Sequence, residues 1–226
     1  MLKAKNLSYQ VLLHNICLEF IPGYIYGILG PNGAGKTTFL KTLSGLWQPT
    51  SGEVLWKGEN LLSRPRKEIS QIISLVPQNP TPCFAFSVED MVSMGRYAHQ
   101  NKDMMIVEDA LKKVDAWRLR HRKIGEISAG ERQRVYIGRA LATEAQVLLL
   151  DEPTANLDIR HQREIWSILR SLATQGHTIV VSLHDFSAAE QYCHEVAVLS
   201  QGRCAATGRY DAVMTSQLLT DVFGIQ

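Results

Sequence analysis

The sequence predicts an α/β protein with a mixed sheet and a helical insertion at roughly residues 80–126. Three observations lead to this fold class. Short apolar runs alternate with helical patterns on both sides of the insertion. One run is followed directly by the pattern G-x-x-x-x-G-K-T at residues 30–37, and another, at residues 147–150, ends on the carboxylates Asp151 and Glu152. A phosphate-binding loop followed by a strand that delivers two acids predicts a nucleotide-binding core.

The first half of the chain is predicted to form short strands around one helix. This helix follows the glycine-rich loop and is expected to close near Gly45. A breaker cluster at residues 79–82 ends the α/β pattern, and apolar residues then recur at helical spacing from Ser87 to about Ile124. The predicted strands are residues 2–7, 16–20, 24–29, 51–56 and 72–76, and the predicted helix is residues 36–46.

The α/β pattern resumes after Ser128. In order, we expect a helix at about 131–143, a strand at 147–150, a helix at about 160–174, strands at 178–183 and 196–199, a turn at Gly202 and a terminal helix around 216–223. The simplest organisation is one domain of residues 1–226, with a core of residues 1–79 and 127–226 and a helical subdomain of residues 80–126.

Composition and charge narrow the class of protein. The 226 residues are 45% hydrophobic and 20% charged, as in ordinary globular domains, and the net charge of +2 gives no reason to expect a nucleic-acid partner. The four cysteines form no C-x-x-C pair, which favours a reducing cytosol over a disulfide framework or a zinc site. The N-terminus lacks the apolar core of a signal peptide, and no apolar run approaches the ~18 residues of a membrane span.

The loop of residues 30–38 has the chemistry of a phosphate cradle. Its glycines let successive backbone N–H groups point at phosphate oxygens, and the helix beginning near Gly35 adds the positive end of its dipole. Lys36 is expected to reach the β- and γ-phosphates of ATP, and the Thr37 hydroxyl to ligate Mg²⁺. The alternative is a chance match, which a chain of this length gives on the order of one time in a hundred.

Polar residues follow four predicted strands, at the ends where ligands bind in open α/β sheets. Asp151 is expected to hold Mg²⁺, mainly through water, and Glu152 to activate the attacking water as a general base. Gln78 would touch the metal or that water, and His184 would hydrogen-bond the γ-phosphate. In chain order, the strand-end residues are Gly30, Gln78, the pair Asp151 and Glu152, and His184.

Each strand-end residue also has an ordinary structural interpretation. Two acids after an apolar run can cap a helix, a lone Gln is usually a loop residue, and a lone His is more often structural. Beside a phosphate-binding loop we favour the functional interpretation of the acids. The interpretation of Gln78 and His184 depends on the wider pattern.

The turn Ser128-Ala129-Gly130 is a second predicted anion site. Its backbone N–H groups and the Ser128 hydroxyl lie at the start of a predicted helix, where an anion is favoured. If the helical insertion separates this turn from the phosphate loop, one nucleotide cannot easily touch both within a chain. A second copy, packed head to tail, would supply the turn in trans, and the dimer would hold two ATP molecules. The alternative is an ordinary helix cap.

Together these residues resemble the ATP-binding cassette (ABC) ATPases over nearly the whole chain. Residues 30–38 are similar to the family's Walker A loop and residues 147–152 to its Walker B strand, with Glu152 matching the catalytic glutamate. The remaining matches are Gln78 to the Q-loop glutamine, residues 127–131 with Gln133 to the signature sequence, residues 156–158 to the D-loop and His184 to the switch histidine.

The resemblance implies a P-loop NTPase fold with a RecA-like core, a mixed sheet, an N-terminal antiparallel β portion and a helical insertion. It places Tyr9 where the family has an aromatic that stacks on adenine, with simple strand packing as the alternative. The resemblance also implies residues for three roles. The implied ATP ligands are Tyr9, Asn32, Gly33, Ala34, Gly35, Lys36, Thr37, Thr38, Ser128, Ala129, Gly130 and Glu131. The implied metal ligands are Thr37, Gln78 and Asp151, and the implied catalytic residues are Glu152, His184, Gln78 and Lys36.

The signature departs from the family pattern at two positions. The usual Leu-Ser-Gly-Gly-Gln is Ile-Ser-Ala-Gly-Glu in this chain. Ala129 adds a methyl group where backbone approaches phosphate, and Glu131 adds a negative charge. Because neither change removes the Ser128 hydroxyl or the backbone N–H groups, we expect ATP hydrolysis to survive.

Two further segments resemble importer subunits for metal chelates. Residues 87–92, followed by Met94-Gly95-Arg96-Tyr97 and His99, and the tail at residues 218–225 are similar to ATPases for iron-siderophore, haem or cobalamin uptake. Zinc and manganese importer ATPases share the Met-Gly-Arg-Tyr element and are the alternative. A soluble ABC ATPase acting on DNA or ribosomes is less favoured, because such proteins carry a long coiled-coil insertion or two tandem cassettes.

The importer resemblance also implies partners and a location. The chain would be a peripheral protein at the cytoplasmic face of the inner membrane. It would form a head-to-tail dimer with a second copy, bind integral membrane permease subunits and work indirectly with a substrate-binding protein. No nucleic-acid partner is expected.

Overall fold

The computed structural model describes residues 1–78, 85–99 and 103–224, so the breaker cluster at 79–82 and the tail residue Ile225 lie outside the described residues. The strands are β1 (Leu2–Tyr9), β2 (Leu13–Phe20), β3 (Ile25–Leu29), β4 (Ser51–Trp56), β5 (Glu59–Asn60), β6 (Ile73–Val76), β7 (Val147–Asp151), β8 (Thr178–Ser182), β9 (Glu195–Ser200) and β10 (Arg203–Gly208). The α-helices are α1 (Lys36–Leu43), α2 (Arg66–Ile72), α3 (Val88–Ser93), α4 (Met104–Lys113), α5 (Ala129–Leu141), α6 (Ile159–Thr174), α7 (Phe186–Tyr192), α8 (Tyr210–Val213) and α9 (Ser216–Leu218). Within these three stretches, no helix combines the length and apolar character that crossing a bilayer requires.

Two sheets divide the strands between them. The four-stranded sheet has the order β2-β1-β4-β5 and is antiparallel. The six-stranded sheet has the order β10-β9-β3-β8-β7-β6, in which β10 alone is antiparallel to its neighbour. The predicted mixed sheet and N-terminal antiparallel portion are therefore confirmed.

The six-stranded sheet is covered on both faces, which explains why its central strands are continuously apolar. Leu148 and Leu150 of β7 pack into a cluster with side chains from α3 to α6. Val147 and Leu149 point the other way, into a cluster with α1 and the four-stranded sheet. All five residues of β7 are buried, and this burial fixes the position of its last residue, Asp151.

The segment between β6 and β7 is helical where it is described. α3 begins at a capping box in which the Ser87 hydroxyl accepts from Asp90 N at 3.0 Å and Asp90 Oδ2 accepts from Ser87 N at 3.2 Å. α3 and α4 pack on α5 and share its apolar cluster. Among the described residues of this segment, strand pairing is limited to one bridge, between Ser87 and Lys123.

Local chemistry shifts the ends of several predicted helices. The helix after the glycine-rich loop ends at Leu43 rather than residue 46, and Gly45 follows it in the left-handed region at φ 73°. α5 begins at Ala129 rather than near residue 131, because Ser128 caps it. The predicted terminal helix at 216–223 is a three-residue helix followed by a π-helical turn, Leu219–Phe223.

Hydrophobic periodicity does not predict α2, α7 or β10. The apolar run at residues 72–76 predicts a strand that begins at Ile72, but Ile72 is the last residue of α2. α7 has only seven residues, which is too short for a 3.6-residue period to stand out. β10 alternates exposed and half-buried residues, but four of its six side chains are small and few are strong β-formers.

Candidate nucleotide-binding site

The polar strand ends lie along one edge of the six-stranded sheet. β3, β8, β7 and β6 are consecutive and parallel, so their carboxyl ends face the same side. Gly30 follows β3, Asp151 ends β7, and Gln78 and His184 lie two residues beyond β6 and β8. The sheet therefore brings together the strand-end residues that the sequence predicts.

The phosphate loop curls around the Lys36 ammonium. Gly30, Gly33 and Gly35 have φ of 150°, 80° and 101°, which lets the loop turn back on itself. Lys36 is only 6% exposed, and its Nζ donates to the carbonyls of Gly30 at 2.7 Å and Pro31 at 3.3 Å. The ammonium is thus held inside the loop, where phosphate oxygens of a nucleotide would meet it.

The remaining loop residues take different positions. Asn32 and Gly33 are exposed at the tip, whereas Ala34 is buried and its N–H donates to Pro31 O at 3.1 Å. Thr38 lies in the first turn of α1, where its carbonyl accepts from the Thr42 hydroxyl at 2.8 Å. A preformed anion site needs backbone N–H groups that a ligand can reach, and the exposed tip of this loop provides them. The buried Ala34 anchors the lower part of the loop.

Gly30→Ala is expected to destabilise the fold by about 2 to 4 kcal/mol. A Cβ at this position would lie 2.3 Å from the carbonyl oxygen of Leu199, a backbone atom of β9 that cannot move aside easily. Gly33→Ala is the matched control, because a Cβ there would meet no heavy atom within 4 Å and the cost is about 1 kcal/mol of backbone strain. Urea unfolding of both variants measures the difference, and equal losses would contradict the steric argument.

Thr37 and Asp151 join the loop to the end of β7. The Thr37 hydroxyl donates to Asp151 Oδ1 at 3.1 Å, and Asp151 is 4% exposed. Ser182, the last residue of β8, donates from its hydroxyl to the same oxygen at 2.6 Å and accepts from Glu152 N at 2.9 Å. The sequence patterns miss Ser182, because it falls inside the strand predicted at residues 178–183 rather than at its end.

Glu152 is held by the two strand-end residues beside it. Gln78 Nε2 donates to Glu152 Oε2 at 2.6 Å, and His184 Nε2 pairs with Oε1. Glu152 itself is in the left-handed region at φ 48°, an uncommon conformation for a residue with a side chain. This conformation turns the chain sharply after Asp151, so the two adjacent carboxylates make different contacts.

His184 bridges Glu152 and Lys36. Its Nδ1 lies 3.5 Å from Lys36 Nζ, while its Nε2 faces the carboxylate. A neutral ring therefore carries its proton on Nε2, which donates to Glu152, and offers the Nδ1 lone pair to Lys36. Burial lowers the pKa of Lys36, while Glu152 and Asp151 counter that shift by favouring the charged form.

The oxygen donors in this cluster suit Mg²⁺ carried with a nucleotide. Mg²⁺ prefers oxygen ligands and is usually held by one or two protein groups together with phosphates and waters. Thr37 Oγ1 and Asp151 Oδ1 are already in contact, and the Gln78 amide oxygen is the end not used toward Glu152. Among the described residues no group of three or more His, Cys, Asp or Glu is arranged to hold a metal ion by itself.

The second predicted anion site is the start of α5. The Ser128 hydroxyl oxygen accepts from Glu131 N at 3.2 Å, and Glu131 Oε2 accepts from Ser128 N at 2.8 Å. This backbone hydrogen bond is the main reason why the pKa of Glu131 is lowered. The Ser128 N–H is therefore occupied by the Glu131 carboxylate.

Among the residues that the structure describes, the open donors of the α5 turn are the N–H groups of Ala129 and Gly130, because the Ser128 hydroxyl also hydrogen-bonds the Glu131 carboxylate. Within the described residues, Ser128 and Glu131 make no hydrogen bond or ion pair to residues 30–38. Gly130 instead packs against α6, where an added Cβ would lie 2.3 Å from His161 Cδ2. In the described part of one chain, Ser128 and Glu131 of the turn therefore share no hydrogen bond or ion pair with the phosphate loop.

The Met-Gly-Arg-Tyr element holds the helical segment to the connection between α5 and β7. Arg96 is 2% exposed and donates to Ala142 O at 2.9 Å and to Glu144 Oε2 at 2.6 Å. His99 Nε2 lies 2.9 Å from the Thr143 carbonyl oxygen. Tyr97, in contrast, is 83% exposed. Arg96 and His99 are therefore structural, whereas Met94 and Tyr97 are exposed.

Tyr9 lies at the end of β1 and stacks on Trp47 of the same chain. The ring centroids are 5.2 Å apart and the planes meet at 16°. Both rings are half-buried. Trp47 is not among the residues that the motifs single out.

Known proteins resemble this chain along most of its length. The ABC transporter family matches residues 13–155. The hemin import ATP-binding protein HmuV of Pseudomonas putida is 41% identical over 222 residues, which cover 95% of this chain and 87% of that protein. A solved structure described as an inward-facing metal-chelate type ABC transporter is 30% identical, with a TM-score of 0.87 over 99% of this chain and 89% of the other. A bacterial ABC transporter cassette solved as a dimer is 26% identical, with a TM-score of 0.82 over 93% and 99% of the two chains.

Proposed function

Because this chain belongs to the ABC transporter family, we propose that it is the ATP-hydrolysing subunit of an importer for a metal chelate such as haem, an iron-siderophore or cobalamin. The observation that carries the proposal is the contact between Thr37 on the phosphate loop and Asp151 at the end of β7, directly beside Glu152. This contact places a phosphate cradle, oxygen donors for a metal and a candidate base in one cluster. The similarity to a hemin import protein over 95% of the chain supports the importer group.

The residues of the cluster have separate roles in ATP hydrolysis. Lys36 and the loop N–H groups hold the β- and γ-phosphates, and Thr37, Asp151 and the Gln78 oxygen hold Mg²⁺, which neutralises charge on those phosphates when bound. Glu152 takes the proton from the attacking water. Gln78 and His184 keep the Glu152 carboxylate in place. With ATP bound, the His184 ring would donate its N–H to the γ-phosphate instead of to Glu152.

The α5 turn completes the site from a second copy of the chain. Ala129 N, Gly130 N and the Ser128 hydroxyl would contact the γ-phosphate bound by the partner's phosphate loop, in a head-to-tail dimer with two ATP molecules. Within the described part of one chain, Ser128 and Glu131 make no hydrogen bond or ion pair to residues 30–38, which supports this arrangement. The dimeric form of a similar cassette is consistent with it.

The domain division, the membrane partners and the location complete the proposal. Residues 80–126 form a helical subdomain set into a RecA-like core of residues 1–79 and 127–226. This subdomain binds integral membrane permeases at the cytoplasmic face of the inner membrane, and a substrate-binding protein delivers the cargo. ATP closes the dimer, hydrolysis reopens it, and the Gln78 loop passes this motion to the permeases.

Growth of the source cell on defined iron sources tests the cargo. Cells lacking the coding sequence should fail to grow with hemin or a siderophore complex as the sole iron source but should grow on ionic iron. Wild-type chain should restore growth, whereas the Lys36→Ala chain should not. A defect seen only under zinc or manganese limitation would favour the alternative of an ion importer, and a defect seen only under cobalamin limitation would name that chelate.

A further inference from the structure

Trp47 is held against Tyr9 because its loop is hydrogen-bonded to the chain on either side of Tyr9. Its loop is tied to the end of β1 by two hydrogen bonds, from Thr50 N to Ser8 O at 2.8 Å and from Gln10 N to Thr50 Oγ1 at 2.7 Å. These hydrogen bonds are made by Ser8 and Gln10, the residues immediately before and after Tyr9. The loop that carries Trp47 therefore moves with the strand end that carries Tyr9.

The Trp47 ring is also secured to the helix that follows the phosphate loop. Trp47 N donates to Lys41 O at 3.2 Å, and Lys41 Nζ lies 4.6 Å from the ring centroid of Trp47, within cation–π range. Lys41 and Lys36 belong to the same helix, α1. Trp47 thus connects the Tyr9 ring to the helix whose first residue binds phosphate.

The turn after Tyr9 packs on the phosphate loop itself. Leu12 N donates to Tyr9 O at 3.0 Å, which closes the turn between β1 and β2. A Cβ on Gly35 would lie 2.9 Å from Leu13 Cδ2 and 3.2 Å from Leu12 O, so this turn and the loop are in direct contact. The aromatic pair therefore lies close to the phosphate loop, at a position fixed relative to that loop.

We propose that Trp47 is a positioning residue for nucleotide binding, which holds the Tyr9 ring in the plane that the base stacks on. The inference rests on the proposed function, because it takes Tyr9 to be the adenine platform. The stacked Trp47 ring, which itself has the Lys41 ammonium within cation–π range, restricts the Tyr9 ring before the adenine arrives. Without Trp47, binding must order that ring, and each side chain that binding has to immobilise weakens affinity by roughly three- to tenfold.

Trp47→Leu separates a base-specific effect from general damage. Expected results are a roughly three- to tenfold rise in the dissociation constant and KM for ATP, with kcat at saturating ATP little changed. The dissociation constant for inorganic tripolyphosphate should stay at the wild-type value, because that ligand has no base. Trp47→Phe should restore most of the affinity for ATP, since it keeps an aromatic face.

Two further variants complete the test. In a Tyr9→Ala background, Trp47→Leu should have little additional effect on ATP binding, because the two residues act as one unit. Trp117→Leu is the matched control: Trp117 is also half-buried and also has a cation over its ring, Arg120 at 4.3 Å, but it lies in the helical segment. This control should leave ATP affinity unchanged.

Contrary outcomes are distinguishable from a failure of the proposed function. If Trp47→Leu weakens ATP and tripolyphosphate equally, or leaves ATP affinity unchanged while Tyr9→Ala weakens it, Trp47 does not position the base platform. If Tyr9→Ala leaves ATP affinity unchanged, the base platform lies elsewhere and the inference fails with it. If the wild-type chain neither binds nor hydrolyses ATP, the proposed function fails as well.

Discussion

The Glu152→Gln variant should bind ATP with near wild-type affinity and hydrolyse it roughly 10²- to 10⁴-fold more slowly, the usual loss when a general base is removed. An amide keeps the size and planar shape of the carboxylate, and it keeps both neighbours if the Gln78 amide flips so that its oxygen accepts from the new NH2 group. The hydrogen bond from the backbone N–H of Glu152 to Ser182 Oγ does not involve the substituted side chain and is unaffected. An amide cannot accept a proton from water at neutral pH, so the chemical step alone is lost.

Phosphate release at saturating ATP measures the loss of turnover, and equilibrium ATP binding measures what is retained. Because hydrolysis reopens the dimer in the proposed cycle, light scattering should show a stable ATP-bound dimer for this variant. Glu53→Gln is a suitable control, since Glu53 lies on β4 and its carboxylate is 3.6 Å from the exposed Lys5. Wild-type turnover in Glu152→Gln would refute the assignment of Glu152 as the general base. Loss of ATP binding would show that Glu152 has a structural role.

The part of the site that could be predicted from sequence is the part encoded in short continuous segments. The phosphate loop carries its glycines, Lys36 and Thr37 within nine residues, and Asp151 and Glu152 follow one apolar run. Because parallel strands present their carboxyl ends at one edge, finding four polar strand ends is enough to expect them together. The observed contacts among Gln78, Glu152 and His184 agree with that expectation.

Residues that act through pairing across the sequence could not be predicted. Ser182 reaches Asp151 only because β7 and β8 pair in the register that sets Asp151 opposite Ser182. Trp47 meets Tyr9 because hydrogen bonds tie its loop to β1, and neither contact has a local pattern. Likewise, the capping-box spacing of Ser128 and Glu131 is readable, but the competition of Glu131 for the Ser128 N–H follows only from the side-chain geometry.

The Ser128→Arg variant should retain ATP binding at the phosphate loop and lose turnover by roughly 10²- to 10³-fold, as when a donor to developing charge is removed. Ser128 is exposed at the start of α5, so the large Arg side chain would occupy the space proposed for the partner's γ-phosphate. Ser128→Thr keeps both the hydroxyl and the cap and should remain active. Ser87→Arg, which removes the equivalent capping box of α3, controls for the loss of about 1 kcal/mol of helix capping.

Mixing two inactive variants decides whether the α5 turn acts within one chain or between two. A dimer of one Lys36→Ala chain and one Ser128→Arg chain has one site with both mutations and one with neither, if each site combines the loop of one chain with the turn of the other. Equal mixing should then restore up to about a quarter of the wild-type sites, because half of the dimers are mixed and each has one intact site. If each chain completes its own site, no combination contains an intact one and the mixture stays inactive.

The two arrangements are distinguished by measuring phosphate release before and after mixing. Fluorescence transfer between labelled chains reports whether the dimers have exchanged subunits. Full exchange without any recovery of turnover would place Ser128 outside the partner's site.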